Sequence, residues 1–282
     1  MKEKKILALV LTLLTLLGAL TGCGSSTAKT EAPAPASESD TQTAEPANAL
    51  ERVKAAGVLT VATSADYEPY EYVDDQGNFV GFDMDLIRII GERMNLEVDI
   101  QDMSFESIVA AVETGKVDCG IAAMGETDER KEHVDFTMMY HQQANVFYVR
   151  SDSDITMAEK EDIVNYVVGV QSGSMLDDFL TAFVDEGKMD ESNVVRYERI
   201  EEAMLDLEAG RVQVVLGDAA GMQTTLDAYD CKVIFKAQLY DTGENIIVGK
   251  NEPEMVAAMN EVIQQLKDDG TIQSLMDKYG IE

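Results

Sequence analysis

The chain opens basic at Lys2, Lys4 and Lys5 and then runs apolar from Ile6 to Leu20 with only two threonines interrupting. A basic head before about fifteen apolar residues predicts a secretory leader over residues 1–22, because a bilayer span needs roughly 20. From Gly24 to about Asn48 the residues are mostly Ser, Thr, Ala, Pro and Glu without aromatics or periodicity. Such a segment buries no core and predicts a disordered tether over 23–48, with a span on the order of 25–30 Å. Beyond it the pattern changes. A short buried strand is predicted at 58–62, and 71–80 alternates around Asp75-Gln76-Gly77-Asn78 as a hairpin. Phe82, Leu86, Ile89, Ile90 and Met94 recur at helical spacing over 83–94, and 96–100 alternates again. A helix over about 105–114 comes next, with Ser104 as its N-cap and Gly115 as its stop, then a buried strand at 117–122.

After Asn145 the same grammar repeats: a strand to Arg150, a strand at 166–170, a helix at 174–183, a strand at 194–197, a helix at 200–209 and a strand at 212–216. Near the end a strand is predicted at 246–248, with amphipathic helices at 253–269 and 271–279, Pro253 suiting a first helical turn. Alternating strands and helices predict an α/β fold with parallel pairing, and two similar blocks predict two lobes.

Charge narrows the partners. The chain carries 22 Lys plus Arg against 53 Asp plus Glu; removing three lysines and Glu3 with the leader leaves 19 against 52, a net of −33. That excess argues against nucleic acid or an anionic membrane surface, and favours cationic or neutral small ligands over acidic ones. Screening beyond ~8 Å limits the effect. Cys119 and Cys231 fall in buried-looking strands far apart and are expected as free thiols, without metal-ligand spacing. The third cysteine closes Leu20-Thr21-Gly22-Cys23, which resembles the bacterial lipobox; the resemblance implies cleavage before Cys23 and acylation of its sulfur. Two or more acyl chains anchor stably, each buried methylene contributing about 0.8 kcal/mol.

Five further segments resemble the family 3 solute-binding proteins of polar amino acid ABC transporters. They are Leu59-Thr60-Val61-Ala62-Thr63 with Tyr67-Glu68-Pro69-Tyr70; Gly81-Phe82-Asp83-Met84-Asp85-Leu86; Gly115-Lys116-Val117-Asp118 to Arg130; Val168-Gly169-Val170-Gln171; and Leu266-Lys267-Asp268-Asp269-Gly270-Thr271. The resemblance implies a two-lobed periplasmic-binding-protein-like fold of type II, each lobe a mixed sheet flanked by helices, with two hinge crossovers. Lobe 1 would take 49–143 plus 243–282 and lobe 2 would take 144–242, with hinges near Gln143 and Gly243. It implies capture of a small amino acid by hinge closure and delivery to an ABC permease and its ATPase. The protein would be a monomer without cofactor, lipid-anchored outside the cytoplasm, whether the host has one membrane or two.

A free amino acid presents a carboxylate and an ammonium on one carbon, so its site needs a cation, N–H donors and an anion close together. Arg130 matches the family arginine that grips the carboxylate, a task suited to a planar fork; the competing reading pairs it with Glu129 or Asp128 at the surface. Asp218 matches the acid that takes the ammonium, or else caps the helix after it. Ser174 and Met175 match lobe 2 contacts to the carboxylate at a helix start, with a plain N-cap serine as the alternative. Tyr67 and Phe105 match aromatics that sandwich the ligand side chain, or belong to the core, and Ser64 matches a position tuning selectivity. At Ala122-Ala123-Met124-Gly125 relatives often carry hydroxyl residues; backbone groups of Ala123 and Gly125 remain available, but Gly125 supplies no hydroxyl to the ammonium.

Two other functions compete. The same fold carries a cyclohexadienyl dehydratase and peptidoglycan-cleaving enzymes, but this chain has only His133 and His141, no nucleophile elbow and no metal cluster, with His133 expected as a solvated surface group. A sensor reporting an amino acid to a signalling receptor would use the same trap; a lipoprotein with no downstream kinase or transmembrane segment favours delivery.

Overall fold

The computed structural model describes residues 47–281, so the expected leader, Cys23 and all of the expected tether except Ala47 and Asn48 lie outside the described residues. The first element, unforeseen in the sequence pattern, is helix α1 (Ala49–Ala56); the Asn48 side chain accepts the Glu51 N–H at its start and Gly57, at φ 73°, ends it. Strand β1 (Val58–Thr63) comes next, then β2 (Asp66–Tyr67) and the hairpin of β3 (Glu71–Val73) and β4 (Phe79–Val80). Helix α2 (Phe82–Met94) buries the stripe its spacing predicts, and β5 (Glu97–Asp102) runs back alongside β1. Helix α3 (Ser107–Glu113) starts two residues later than expected. Ser104 is not its N-cap: its carbonyl accepts the Ser107 N–H and its hydroxyl pairs with the Ser107 hydroxyl, which holds Phe105 and Glu106 in a turn.

The predicted strand at 117–122 contracts to β6 (Cys119–Gly120). The Ile121 N–H still reaches the Ala62 carbonyl at 3.0 Å, but Ala123 then takes φ 44° and turns the chain out of the sheet. Helix α4 (Asp128–His133) and β7 (Val134–Phe136) complete this half. The next comprises β8 (Asn145–Arg150), β9 (Val168–Gln171), α5 (Met175–Asp185), β10 (Val194–Tyr197), α6 (Ile200–Glu208), β11 (Val214–Asp218), α7 (Met222–Ala228) and β12 (Cys231–Ala237). Last come β13 (Ile247–Gly249), α8 (Pro253–Asp268) and α9 (Thr271–Tyr279).

Pairing sorts the strands into two five-stranded sheets, ordered β5-β1-β6-β13-β7 and β10-β9-β11-β8-β12, and a small antiparallel sheet of β2, β3 and β4. In the first, β1 runs parallel to β5 and β6, and the returning strand β13 lies antiparallel to β6 and β7. In the second, β9 is parallel to β10 and β11, while β8 is antiparallel to β11 and β12. Both five-stranded sheets are therefore mixed, each flanked by helices, and the fold is two-lobed α/β. The chain leaves the first sheet after Phe136 and re-enters it at Ile247; the two connecting segments lie side by side, joined by a His141–Glu244 bridge. Gln143 and Gly243 sit on these segments.

Each lobe carries its own core. Leu59, Val61, Phe82, Leu86, Ile90, Met255 and Ile263 pack in the first, and Phe147, Val168, Val170, Leu180, Val214 and Leu216 in the second. Cys119 and Cys231 are buried and free, one in each five-stranded sheet. The turn into α2 depends on Gly81, at φ 125°, where an added Cβ would stand 2.2 Å from the Tyr70 carbonyl oxygen. Backbone cannot yield there as a flexible side chain would, so Gly81→Ala should cost on the order of 3 kcal/mol. The melting temperature should then fall by roughly 6–12 °C on thermal unfolding.

Candidate functional site

Strands of the two five-stranded sheets end facing one cleft, as ligand-binding α/β sheets do. The first lobe contributes the segments after β1 and β6, and the second those after β9 and β11. Between them lies a cavity of about 80 Å³ lined by Ser64, Tyr67, Phe105, Ala123, Gly125, Arg130, Ser174, Met175 and Asp218. All nine candidate residues named from the sequence thus meet at one place. A single water needs only ~10–15 Å³ of such space, so the cavity has room for a small zwitterion.

Arg130 owes its position to the cap of α4. The Thr127 hydroxyl accepts the Arg130 N–H at 3.1 Å, setting the first turn so that the side chain enters the cleft, 7% exposed. Nη1 donates to the Gly125 carbonyl at 2.7 Å and Nη2 to the Gly173 carbonyl at 2.8 Å, so the guanidinium bridges the lobes and pairs with neither Glu129 nor Asp128 through these bonds. Its carbon lies 5.3 Å from the centre of the Phe105 ring, a cation–π distance. Burial lowers its pKa from the usual value, yet a guanidinium stays charged.

Asp218 ends β11. Oδ2 accepts the Tyr67 hydroxyl at 2.7 Å and Oδ1 accepts the Asn145 amide at 2.6 Å. It caps no helix: α7 begins at Met222 behind Gly221. Desolvation pushes its pKa up to about 6, against the lowering effect of the Tyr67 hydrogen bond. Ser174 does cap α5, its Oγ accepting the Asp177 N–H at 3.1 Å while the residue also lines the cavity. A Cβ at Gly125 would come 2.4 Å from Met175 Sδ, so a hydroxyl residue there would need that flexible side chain to move aside. The thioether occupies the space a side chain would need. Ser64 Oγ donates to Asp66 Oδ1 at 2.9 Å, holding an acid of the cavity wall.

Several lining residues escaped the sequence reading: Asp66, Glu71, Asn145, Gln171, Thr242 and Glu244. Gln171 lies in a segment that carried the resemblance, so a signal existed. Asn145 opens β8 just after one crossover and Glu244 lies on the other, and no spacing announces that these approach the same point. Gln171 Nε2 and Thr242 Oγ1 are buried without a hydrogen-bond partner among the described residues, which leaves both able to bond a ligand in the cavity they line. Glu71 is held well above the ordinary carboxyl range by burial and then by Asp83 beside it. Of the two histidines, His133 is half-exposed against Glu113, and His141 is buried against the Tyr70 hydroxyl and Glu244.

The sequence profile of the bacterial extracellular solute-binding proteins, family 3, matches residues 59–282. The L-arginine-binding protein of Pseudomonas aeruginosa is 27% identical over 229 residues, covering 78% of this chain and 87% of that protein. An ancestral arginine-binding protein bound to arginine is similar in structure at TM-score 0.73 and 29% identity, over 79% of this chain and 98% of that one. Holo ArgBP from T. maritima is similar at TM-score 0.69 and 33% identity, over 77% of this chain and 93% of that one.

Proposed function

The chain belongs to the bacterial extracellular solute-binding proteins of family 3, and we propose that it captures a free amino acid with a positively charged side chain and delivers it to an ABC importer. The observation that carries this reading is the charge in the cleft: Arg130 is the one cationic side chain lining it, against the acids Asp66, Asp218 and Glu244, while burial holds Glu71 protonated. An α-amino acid consumes one cation and one anion of such a site, its carboxylate on Arg130 and its ammonium on Asp218. The remaining acids leave an anionic excess in a low-dielectric cleft, which a second positive charge on the ligand offsets. A ligand with an acidic side chain would add to the excess instead.

Tyr67 and Phe105 supply flat walls for the aliphatic part of the side chain, and Gln171 and Thr242 supply polar contacts. The relatives named as arginine-binding point to the same class of cargo. The protein works outside the cytoplasm as a monomer, held by acyl chains on Cys23, so that closure around cargo and docking to the permease occur at the membrane.

Thermal unfolding against the twenty amino acids, related amines and cystine tests this. A ligand at 100 times its Kd adds about 2.7 kcal/mol, an upward shift of roughly 5–10 °C. L-Arginine and other basic amino acids should give the largest shifts, and glutamate and aspartate none. Tight glutamate binding would overturn the cationic preference, and no shift with any amino acid would overturn the cargo class.

A further inference from the structure

Arg199 precedes α6 in the second lobe, yet its guanidinium crosses to the first. Nη1 and Nη2 donate to Oδ1 and Oδ2 of Asp102, at the end of β5, over 3.2 and 2.9 Å. Asp66 Oδ1 lies 3.6 Å from the same guanidinium, and Asp66 Oδ2 accepts the N–H of Ile200 at 3.1 Å. Both acids are held from within their own lobe, Asp102 by the Ala65 N–H at 2.8 Å and Asp66 by the Ser64 hydroxyl at 2.9 Å. The first lobe therefore presents a preset pair of carboxylates, and the second a planar fork with a backbone N–H beside it. The Arg199 and Asp102 side chains are 27% and 32% exposed, so solvent screens the pair in part, while the Asp66 side chain beside them, at 4%, is buried. Neither Arg199 nor Asp102 lines the ligand cavity.

We propose that Arg199, gripped by Asp102 and Asp66, is a positioning residue that holds the lobes shut over the cargo and sets its residence time without touching it. This rests on reading the cleft as a ligand trap. A contact made across the lobes favours the closed arrangement over an open one by its own free energy, and apparent ligand affinity tracks the closed population. Because the contact must break before cargo leaves, its loss acts on release more than on capture.

Stopped-flow release of L-arginine from the whole protein, with Arg199→Ala, Asp102→Ala and the double variant, reads this directly. Release should be about tenfold faster in each single variant and no faster in the double, with association within about twofold of the unaltered protein. Arg199→Lys, which keeps the charge but loses the fork, should fall between. Unchanged release, or single effects that simply add in the double variant, would overturn the latch. Small-angle scattering of ligand-free protein gives a second reading: Arg199→Ala should have the larger radius of gyration, and equal radii would overturn it. Should L-arginine fail to bind the unaltered protein, the cargo reading falls, and scattering alone decides the latch. Should Arg199→Ala fail to fold, Asp102→Asn, close in shape, takes its place in both measurements.

Discussion

Arg130→Ala should abolish effective capture of a basic amino acid, raising Kd by 10²–10³-fold, about 3–4 kcal/mol. The guanidinium is the one cationic side chain lining the described cavity, so without it a ligand carboxylate would be buried against acids with no countercharge. Folding should suffer less. The variant leaves the Gly125 and Gly173 carbonyls without their donor, at a cost of about 1–3 kcal/mol, which circular dichroism on heating will report. Arg130→Lys should recover little affinity, since a single ammonium cannot reach both carbonyls and a carboxylate in one plane. Titration calorimetry with L-arginine measures both, and near-normal affinity in Arg130→Ala would remove this residue from the site.

The second large effect falls on Asp218, where pH and mutation should agree. Asp218→Asn keeps the shape, and Tyr67, whose hydroxyl both donates and accepts, can still bond the amide. Only the charge facing a ligand ammonium is lost, and affinity for L-arginine at pH 7.5 should drop on the order of 10²-fold. In the ligand-free protein Asp218 titrates at about 6, so binding a cation below that pH must first expel a proton. Affinity of the unaltered protein should therefore fall by up to about tenfold per pH unit below 6, and more shallowly in Asp218→Asn. Equal slopes would assign the titration to another acid.

Ligand-free stability should move the opposite way. Asp66 and Asp218 at about 6 and Asp83 at about 7 all stand above the ordinary carboxyl value, burial being the largest cause in each. Between about pH 4 and 7 the folded state thus binds more protons than the unfolded chain. Stability is present at the lower end of that window and is lost as pH rises through the folded values. Melting temperature should climb on acidification from pH 7 to 5 while affinity declines. The acids whose pKa is lowered, such as Asp135 and Asp269, act only below about pH 4 and do not offset this.

The periodicity of apolar residues along the chain determined nearly every buried strand and long helix. Phe82 to Met94 could sit still only as a helix with one face inward, and β1, β8 and β11 only as strands covered on both sides. Where packing at a distance sets the local backbone, the pattern was silent or wrong. Ser104 looks like a cap but is drawn into a turn with Ser107, and Asn48 caps a helix that a polar lead-in concealed. Most of the nine candidate residues reach one cleft because they lie at or just past a strand end, a position local sequence specifies, while the capped helix α4 carries Arg130 there. That Asn145 and Glu244 join them, that Met175 fills the space at Gly125, and that Arg199 reaches across to Asp102 were decided by tertiary structure alone. Arg199 and Asp102 stand 97 residues apart in the chain and meet only because two separately packed lobes dock, and no periodicity along the chain encodes that distance.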